Sequence, residues 1–390
     1  MRERLRLSDL HILFVCLDSH HGPLSRRTLV DASTFRNTGG NAMIVCPPGS
    51  PLDRAAELQD IPRYPLEAPA DWRALWRLFQ LTRHLIRKDR LDLVHCYSYR
   101  PLVALGAALK GSVKVPLVYT SNEDIADAYL AFWHDYSVTR VDQVLTFSSA
   151  LRDTASEVLP LSDHKILTLG AGVDFPRQRG KERAHRDGWR LCTYLPVDEK
   201  NLDRILPLLQ ALPAVAHELH RPVVLEIMTE GSWYEHPLYA AIKHVILERG
   251  LEHKVAFGAI AWSAGGALGQ HIFIGLDSID PFDDVELQAM LQQIPVLLPR
   301  TAARTQMLQG NALGLTYHPT DVREMKSKIL EVLAKNERFK TELLQWHGSI
   351  IEQHGHEHYT EELFQLYERL VLQRLRFALK ARSVFTSKTS

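Results

Sequence analysis

Cysteine is scarce: Cys16, Cys46, Cys96 and Cys192 are the only four in 390 residues. Each lies in or beside an apolar run, and no two stand close enough to make a zinc site or a redox motif, so they are expected to be buried, reduced thiols in a cytoplasmic protein. No excess of one charge exists either, since Lys plus Arg and Asp plus Glu number 46 each. That balance excludes a wholesale nucleic-acid binder, and no nucleic-acid partner is expected. A long hydrophobic run is also missing. The one that follows the charged start, His11 to Leu17, is too short for a signal-peptide core or a membrane span. No repeat or low-complexity tract is evident.

What is present is apolar residues, 45% of the chain, enough for two cores in a chain too long for one. Leu10 to Leu17 reads as a strand buried on both faces. A helix from Ser25 to Arg36 ends at Gly39-Gly40, and Ala42 to Cys46 is the next strand. The alternation continues through helix Asp71 to Lys88, strand Leu91 to Cys96, helix Pro101 to Leu109, strand Val115 to Thr120, helix Ile125 to His134 and strand Gln143 to Phe147. The polar, mostly basic stretch Pro176 to Gly188 reads as a linker. Beyond it the rhythm restarts with strand Arg190 to Leu195, helix Asn201 to Leu219, strand Val223 to Met228, helix Leu238 to Arg249, strands Val255 to Phe257 and Ile272 to Leu276, helix Asp284 to Gln293 and strand Val296 to Leu298. Helices Asp321 to Lys335 and Thr360 to Lys380 follow, and a disordered tail is expected from Ser383. The fold class is α/β, with two Rossmann-like doubly wound domains facing a central cleft. The divisions are 1–175, 176–358 and a closing helix with its tail, 359–390.

Ligands of open parallel sheets bind beyond the carboxyl ends of the strands. In the first half that loop runs from Asp18 to Arg27. Gly22 there permits close backbone approach, and Ser25 is placed to cap a helix whose N-terminus attracts anions. An ordinary turn with Arg26 and Arg27 on a solvated face explains the stretch equally well. In the second half Thr193 to Asn201 runs from a strand into a helix start, which would aim the Lys200 ammonium at a diphosphate leaving group. Leu276 to Met290 packs five acids before and into a helix. These either complement the helix dipole or, through Asp280 and Gln288, bond sugar hydroxyls.

Further segments sharpen the choice. Asp198-Glu199-Lys200-Asn201-Leu202 looks like a "PEKN" segment, Glu230-Gly231-Ser232 like a "GxGP" turn, and Val255-Ala256-Phe257-Gly258 like "VxFxG". Asp280 to Gln288 falls on an E-x7-E motif, and Gln293-Ile294-Pro295-Val296 on "GxPV". Asp92-Leu93-Val94-His95 looks like "DVVH", Val118 to Asn122 like "VxTxH", and Gly172-Val173-Asp174 like "NGVD". Taken in chain order the segments resemble the retaining glycosyltransferases of family 4, of GT-B fold, over nearly the whole chain. The resemblance implies transfer from a nucleoside-diphosphate sugar to a glycan or lipid-linked acceptor with retention of configuration, in cell-surface polysaccharide or glycoconjugate synthesis, with no metal and no cofactor.

Carried over residue by residue, the resemblance gives Lys200, Asp280 and Asn122 catalytic roles. Gly231, Ser232, Gly258, Glu286 and Gln288 would bind the donor, and Gly22, Arg26 and Arg27 the acceptor or a phosphate. The chain departs from the pattern at several of these positions. The phosphate-binding arginine falls at Tyr194 or Leu195, the two glutamates become Asp280 and Gln288, and the first-domain histidine becomes Asn122. An active enzyme would then pair Lys200 with Arg26, Arg27 or Arg304. The alternative is an inactive relative that binds or stabilises an active glycosyltransferase. An epimerase or phosphorylase on the same scaffold is a third reading.

Contact with the inner face of the membrane is a further expectation. Asp71 to Arg90 carries Trp72, Leu75, Trp76 and Phe79 among arginines, and the closing helix carries Arg369, Arg374, Arg376 and Lys380. For both helices packing onto the domain is the favoured reading, with the aromatic stripe against the sheet.

Overall fold

The computed structural model describes residues 6–18, 22–67, 72–88, 90–110, 112, 114–121, 138–173, 188–196, 201–229, 232–259, 269–276 and 284–386. The chain divides into two compact units, Met1–Gly170 with Glu357–Ser390, and Ala171–His356.

The first unit is built on β1 (His11–Val15), β2 (Asn41–Cys46), β3 (Arg63–Pro65), β4 (Leu93–Cys96), β5 (Leu117–Thr120), β6 (Gln143–Thr146) and β7 (Ile166–Thr168). They form one sheet in the order β3-β2-β1-β4-β5-β6-β7, parallel at every pairing. The connections include α1 (Pro23–Asn37), α2 (Pro51–Leu58), α3 (Trp72–Arg87), α4 (Leu102–Leu109) and α5 (Ser149–Val158). Successive side chains of a strand point to opposite faces. Ile12 and Phe14 accordingly enter one core cluster, and Leu13 and Val15 the other. A strand covered on both faces has no solvent side to supply polar residues, which is why β1 is apolar from Ile12 to Val15.

The second unit repeats the plan with β8 (Trp189–Tyr194), β9 (Val223–Thr229), β10 (Val255–Ala259), β11 (Ile272–Ile274), β12 (Val296–Pro299) and β13 (Gly314–Tyr317). Their order is β10-β9-β8-β11-β12-β13, again all parallel. Its helices are α6 (Leu206–Leu219), α7 (Tyr239–Glu248), α8 (Asp284–Leu291), α9 (Ala302–Met307), α10 (Val322–Ala334) and α11 (Asn336–His354). The chain enters and leaves this unit side by side. Val173 N–H donates to His354 O at 2.7 Å, and His356 N–H donates to Val173 O at 2.9 Å.

The closing helix α12 (His356–Thr386) belongs to the first unit from Glu357 on. Tyr359, Leu363, Phe364, Tyr367 and Leu370 join the Ile12 and Phe14 cluster. A buried polar network pins the helix there. Asp31 accepts from Tyr97 Oη at 2.6 Å and from Tyr359 Oη at 3.0 Å. His95 lies 2.6 Å through Nδ1 from Tyr367 Oη and 2.7 Å through Nε2 from Thr120 Oγ1. Arg374 is bound to Asp142, so part of the helix's basic character serves internal pairing.

Several expectations change. Helix α1 begins at Pro23 with Gly22 as its N-cap, and Ser25 lies inside it, its hydroxyl donating back to Gly22 O at 2.8 Å. The helix after β8 begins at Leu206, because Asn201 caps a separate short turn, Leu202–Arg204, by accepting from Asp203 N–H. The tail expected to be disordered from Ser383 is helical through Thr386. In α3 the aromatic stripe divides: Leu75 and Phe79 pack partly on the core, whereas Trp72 and Trp76 are 70% and 53% exposed. The residues that face inward are Ala74, Leu78, Thr82 and Leu85. The helix expected over Ile125 to His134 and most of the linker lie outside the described residues. All four cysteines are free and buried, and burial pushes the Cys16 and Cys46 thiols up to about 12.

Candidate functional site

In each sheet the direction of strand addition reverses once, between β1 and β4 and between β8 and β11. Loops on either side of such a switch point diverge to opposite faces and leave a crevice at the carboxyl edge. In the second unit Cys192 and Thr193 pair with Phe273 and Ile274, and Thr193 Oγ1 donates to Ile274 O at 2.7 Å. The segment after Tyr194, which leads to Lys200, and the segment after Ile274, which leads to Asp280, therefore leave adjacent strands at one edge. Lys200, Asp280, Asn122 and Gly231 themselves lie outside the described residues.

Around that edge the fold is rigidly braced. His236 is 4% exposed. Its Nδ1 accepts from Leu238 N–H, so the proton sits on Nε2, which donates to Pro196 O at 2.9 Å. The histidine ring stacks on Trp233, centroids 4.7 Å apart. Trp233 Nε1 in turn donates to Gly258 O at 2.8 Å. These contacts tie the loops after β8 and β9 to β10. A Cβ at Gly258 would meet Glu226 Oε1 at 2.4 Å, so a larger residue there would have to displace that carboxylate. Ser232 is exposed at the start of the turn that holds Trp233.

Helix α8 supplies the remaining candidates. Gln288 is half-buried, and its Oε1 is buried without a hydrogen-bond partner among the described residues. Such an atom forfeits hydration worth about 1–3 kcal/mol. Glu286 does not serve as an exposed donor contact. It is 2% exposed, and Arg304 of α9, 0% exposed, holds it in a fork, Nη2 to Oε1 at 2.6 Å and Nε to Oε2 at 3.2 Å. Gly275, at the end of β11, leaves room for this pair: a Cβ there would stand 2.9 Å from Glu286 Oε1. Tyr317 Oη closes the cluster by donating to Gly275 O at 2.8 Å. The reason for the inward turn of Glu286 is helical phase, since it lies two residues, or about 200°, from Gln288.

The first unit's candidates divide in the same way. Arg27 is buried at 6% exposure, 3.4 Å from Asp31, with its guanidinium carbon 4.3 Å from the centre of the Tyr359 ring. It is thus a core cation, not a solvated one. Arg26 is half-buried on α1. Gly22 has an extended backbone, φ −95°, and a Cβ would meet nothing within 4 Å, so neither conformation nor crowding demands glycine. Tyr194 and Leu195, 6% and 1% exposed, carry no cation at the position where the sequence resemblance expects an arginine. Among the described residues no group of three or more His, Cys, Asp or Glu could hold a metal ion. No helix among them is long and apolar enough to cross a membrane.

Two Rossmann-like units, each a parallel sheet with its switch point, define the GT-B class of α/β protein. Residues 32–177 match Glycosyltransferase Family 4. A glycosyltransferase from Rickettsia africae is similar in structure, with a TM-score of 0.72 at 15% identity, covering 93% of this chain and 98% of that one. HepE from Anabaena, solved with UDP and glucose, gives 0.69 at 14% identity, covering 92% and 99%. In sequence the chain is 19% identical over 275 residues to an uncharacterized glycosyltransferase of Methanocaldococcus jannaschii, 67% of this chain and 71% of that protein. Together these findings show a GT-B fold for the chain and a likeness to family 4 glycosyltransferases over residues 32–177.

Proposed function

We propose that the chain transfers a hexose from a nucleoside-diphosphate sugar to a glycan or lipid-linked acceptor, with retention of configuration and without a metal, in the synthesis of a cell-surface polysaccharide or glycoconjugate. The observation that carries this reading is the second unit's switch point. There β8 and β11, which the chain leaves toward Lys200 and Asp280, are neighbours, and Gly275 just past β11 lies against Glu286 of α8, the helix whose Gln288 carbonyl has no partner among the described residues. In this scheme the Lys200 ammonium neutralises the leaving diphosphate. The Gln288 amide bonds the ribose diol, and Asp280 and Asn122 hold sugar hydroxyls, with Gly231, Ser232 and Gly258 lining the donor side. HepE was solved with UDP and glucose, which makes UDP-glucose the first donor to try.

A second reading has a specific observation behind it. Two of the three arginines that could assist Lys200, Arg27 and Arg304, are committed to buried carboxylates, which favours an inactive relative that stabilises an active glycosyltransferase. Calorimetry with UDP, GDP and their sugars, followed by a donor-hydrolysis assay, separates the readings. Binding with hydrolysis, both abolished by Lys200→Ala, supports transfer. Binding without hydrolysis supports the second reading, and no binding to any nucleotide overturns the first.

A further inference from the structure

Helix α3 presents a face that the first unit does not use. Trp72 and Trp76, one turn apart, lie across the helix from the inward residues Ala74, Leu78, Thr82 and Leu85. Trp76 stacks on Phe79, ring centres 5.2 Å apart and planes within 13° of parallel. Beside this pair a groove of about 740 Å³ runs along α3 to Ala107 of α4, and Arg83, His84 and Arg87 line it.

Charge decides what fits there. From Trp72 to Lys88 the chain carries Arg73, Arg77, Arg83, Arg87 and Lys88 and no acid. A second copy docking through the same face would set these like charges against each other. A bilayer of anionic lipids meets both chemistries at once. Indole rings settle at the headgroup boundary, where they are apolar and polar together, and arginines beside them reach the phosphates while their stems stay in the apolar layer. Arg73 and Arg77 each follow a tryptophan, about 100° round the helix, so a plane resting on the aromatic ridge meets cations at its rim. The closing helix offers less, since Arg374 is bound to Asp142.

We propose that α3 is a membrane-surface helix: it lies in the plane of an anionic leaflet with Trp72 and Trp76 in the headgroup layer and the exposed Arg77 and Arg87 on lipid phosphates, while Arg83 is held by Ala108 O. This holds whether or not the second unit transfers sugar, and its test uses no nucleotide. The full chain is floated with vesicles of phosphatidylcholine alone or mixed with phosphatidylglycerol. Anionic vesicles should retain at least roughly tenfold more protein, less so as salt screens the phosphates. The double variant Trp72→Ala/Trp76→Ala, which trims exposed rings and should keep the thermal midpoint, should reduce that retention about tenfold, as should Arg77→Glu/Arg87→Glu. Lipids brominated near the headgroup should quench tryptophan emission in the parent and much less in the double variant. Equal retention by neutral and anionic vesicles overturns the proposal. So does retention indifferent to the tryptophans, or light scattering that shows a dimer in free solution which the double variant converts to monomer.

Discussion

Glu286 and Arg304 form an ion pair that is almost sealed from water. Removing one partner strands the other charge, whereas removing both leaves only a packing problem. Arg304→Met alone is expected to cost about 3–5 kcal/mol in urea unfolding, and Arg304→Met with Glu286→Leu to regain most of it. A single variant as stable as the parent would mean the pair is solvated. Gln288 has the opposite expectation. Its Oε1 is held without a described partner, so Gln288→Met should raise stability by about 1 kcal/mol and weaken nucleotide binding together. Calorimetry that finds unchanged affinity would remove Gln288 from the donor site. The sequence alone marks Gln288 through its place in a motif, and Arg304 as one of several spare cations. It cannot tell that Glu286 turns inward to meet Arg304, because the phase of α8 against the sheet fixes that. The same holds for Arg27, whose partners Asp31 and Tyr359 lie four and 332 positions away in the chain.

At the scale of elements, strands such as β1 and β4 could be read from apolar runs, since burial on both faces leaves no polar alternation to misread. Periodicity missed the 19-residue α11 as well as α2, α5 and α9, which are short. Their start signals were present, however: the hydroxyls of Ser50, Ser148 and Thr301 each accept from a backbone N–H three residues on. Edge strands β3 and β7, three residues each, are too short to show any period. The helix expected at Asn201 fails for a local reason, the side-chain bond from Asn201 that closes a separate turn. Helix α12 is held by hydroxyls as well as apolar contacts. Tyr359→Phe, which removes one donor to Asp31, should cost about 1 kcal/mol in denaturant unfolding. A midpoint unchanged within error would show that Arg27 and Tyr97 suffice for the carboxyl.

The molecule as a whole should weaken in acid. Burial holds His354 down at about 4 and drives His95 well below the usual histidine range, with Arg27 adding to the effect. Both are neutral in the fold, and the unfolded chain takes up their protons first. The stability carried by His354 is therefore complete above its ordinary pKa of ~6.5 and is lost as the pH falls toward about 4, by on the order of 2 kcal/mol for a half-buried ring. Asp31, raised by burial, acts in the other direction. Thermal midpoints between pH 7 and pH 4.5, roughly the window's limits, should fall, and fall less in His354→Gln. Equal slopes would exclude His354 as the cause. If the donor binds in Ala171–His356, UDP should raise the unfolding transition of that unit alone in scanning calorimetry.

One consequence of α12 concerns the order of synthesis. Tyr359 reaches back 328 positions to Asp31, so on the ribosome the first unit's sheet emerges with one of its core clusters open. The second unit is continuous from Ala171 to His356 and has every strand it needs before α12 is translated. It should fold first, while Phe14 and Phe35 wait for Phe364 and Tyr367. A chain cut short near residue 356 would then carry a finished second unit beside an uncovered apolar surface, the kind of surface that chaperones and proteases recognise.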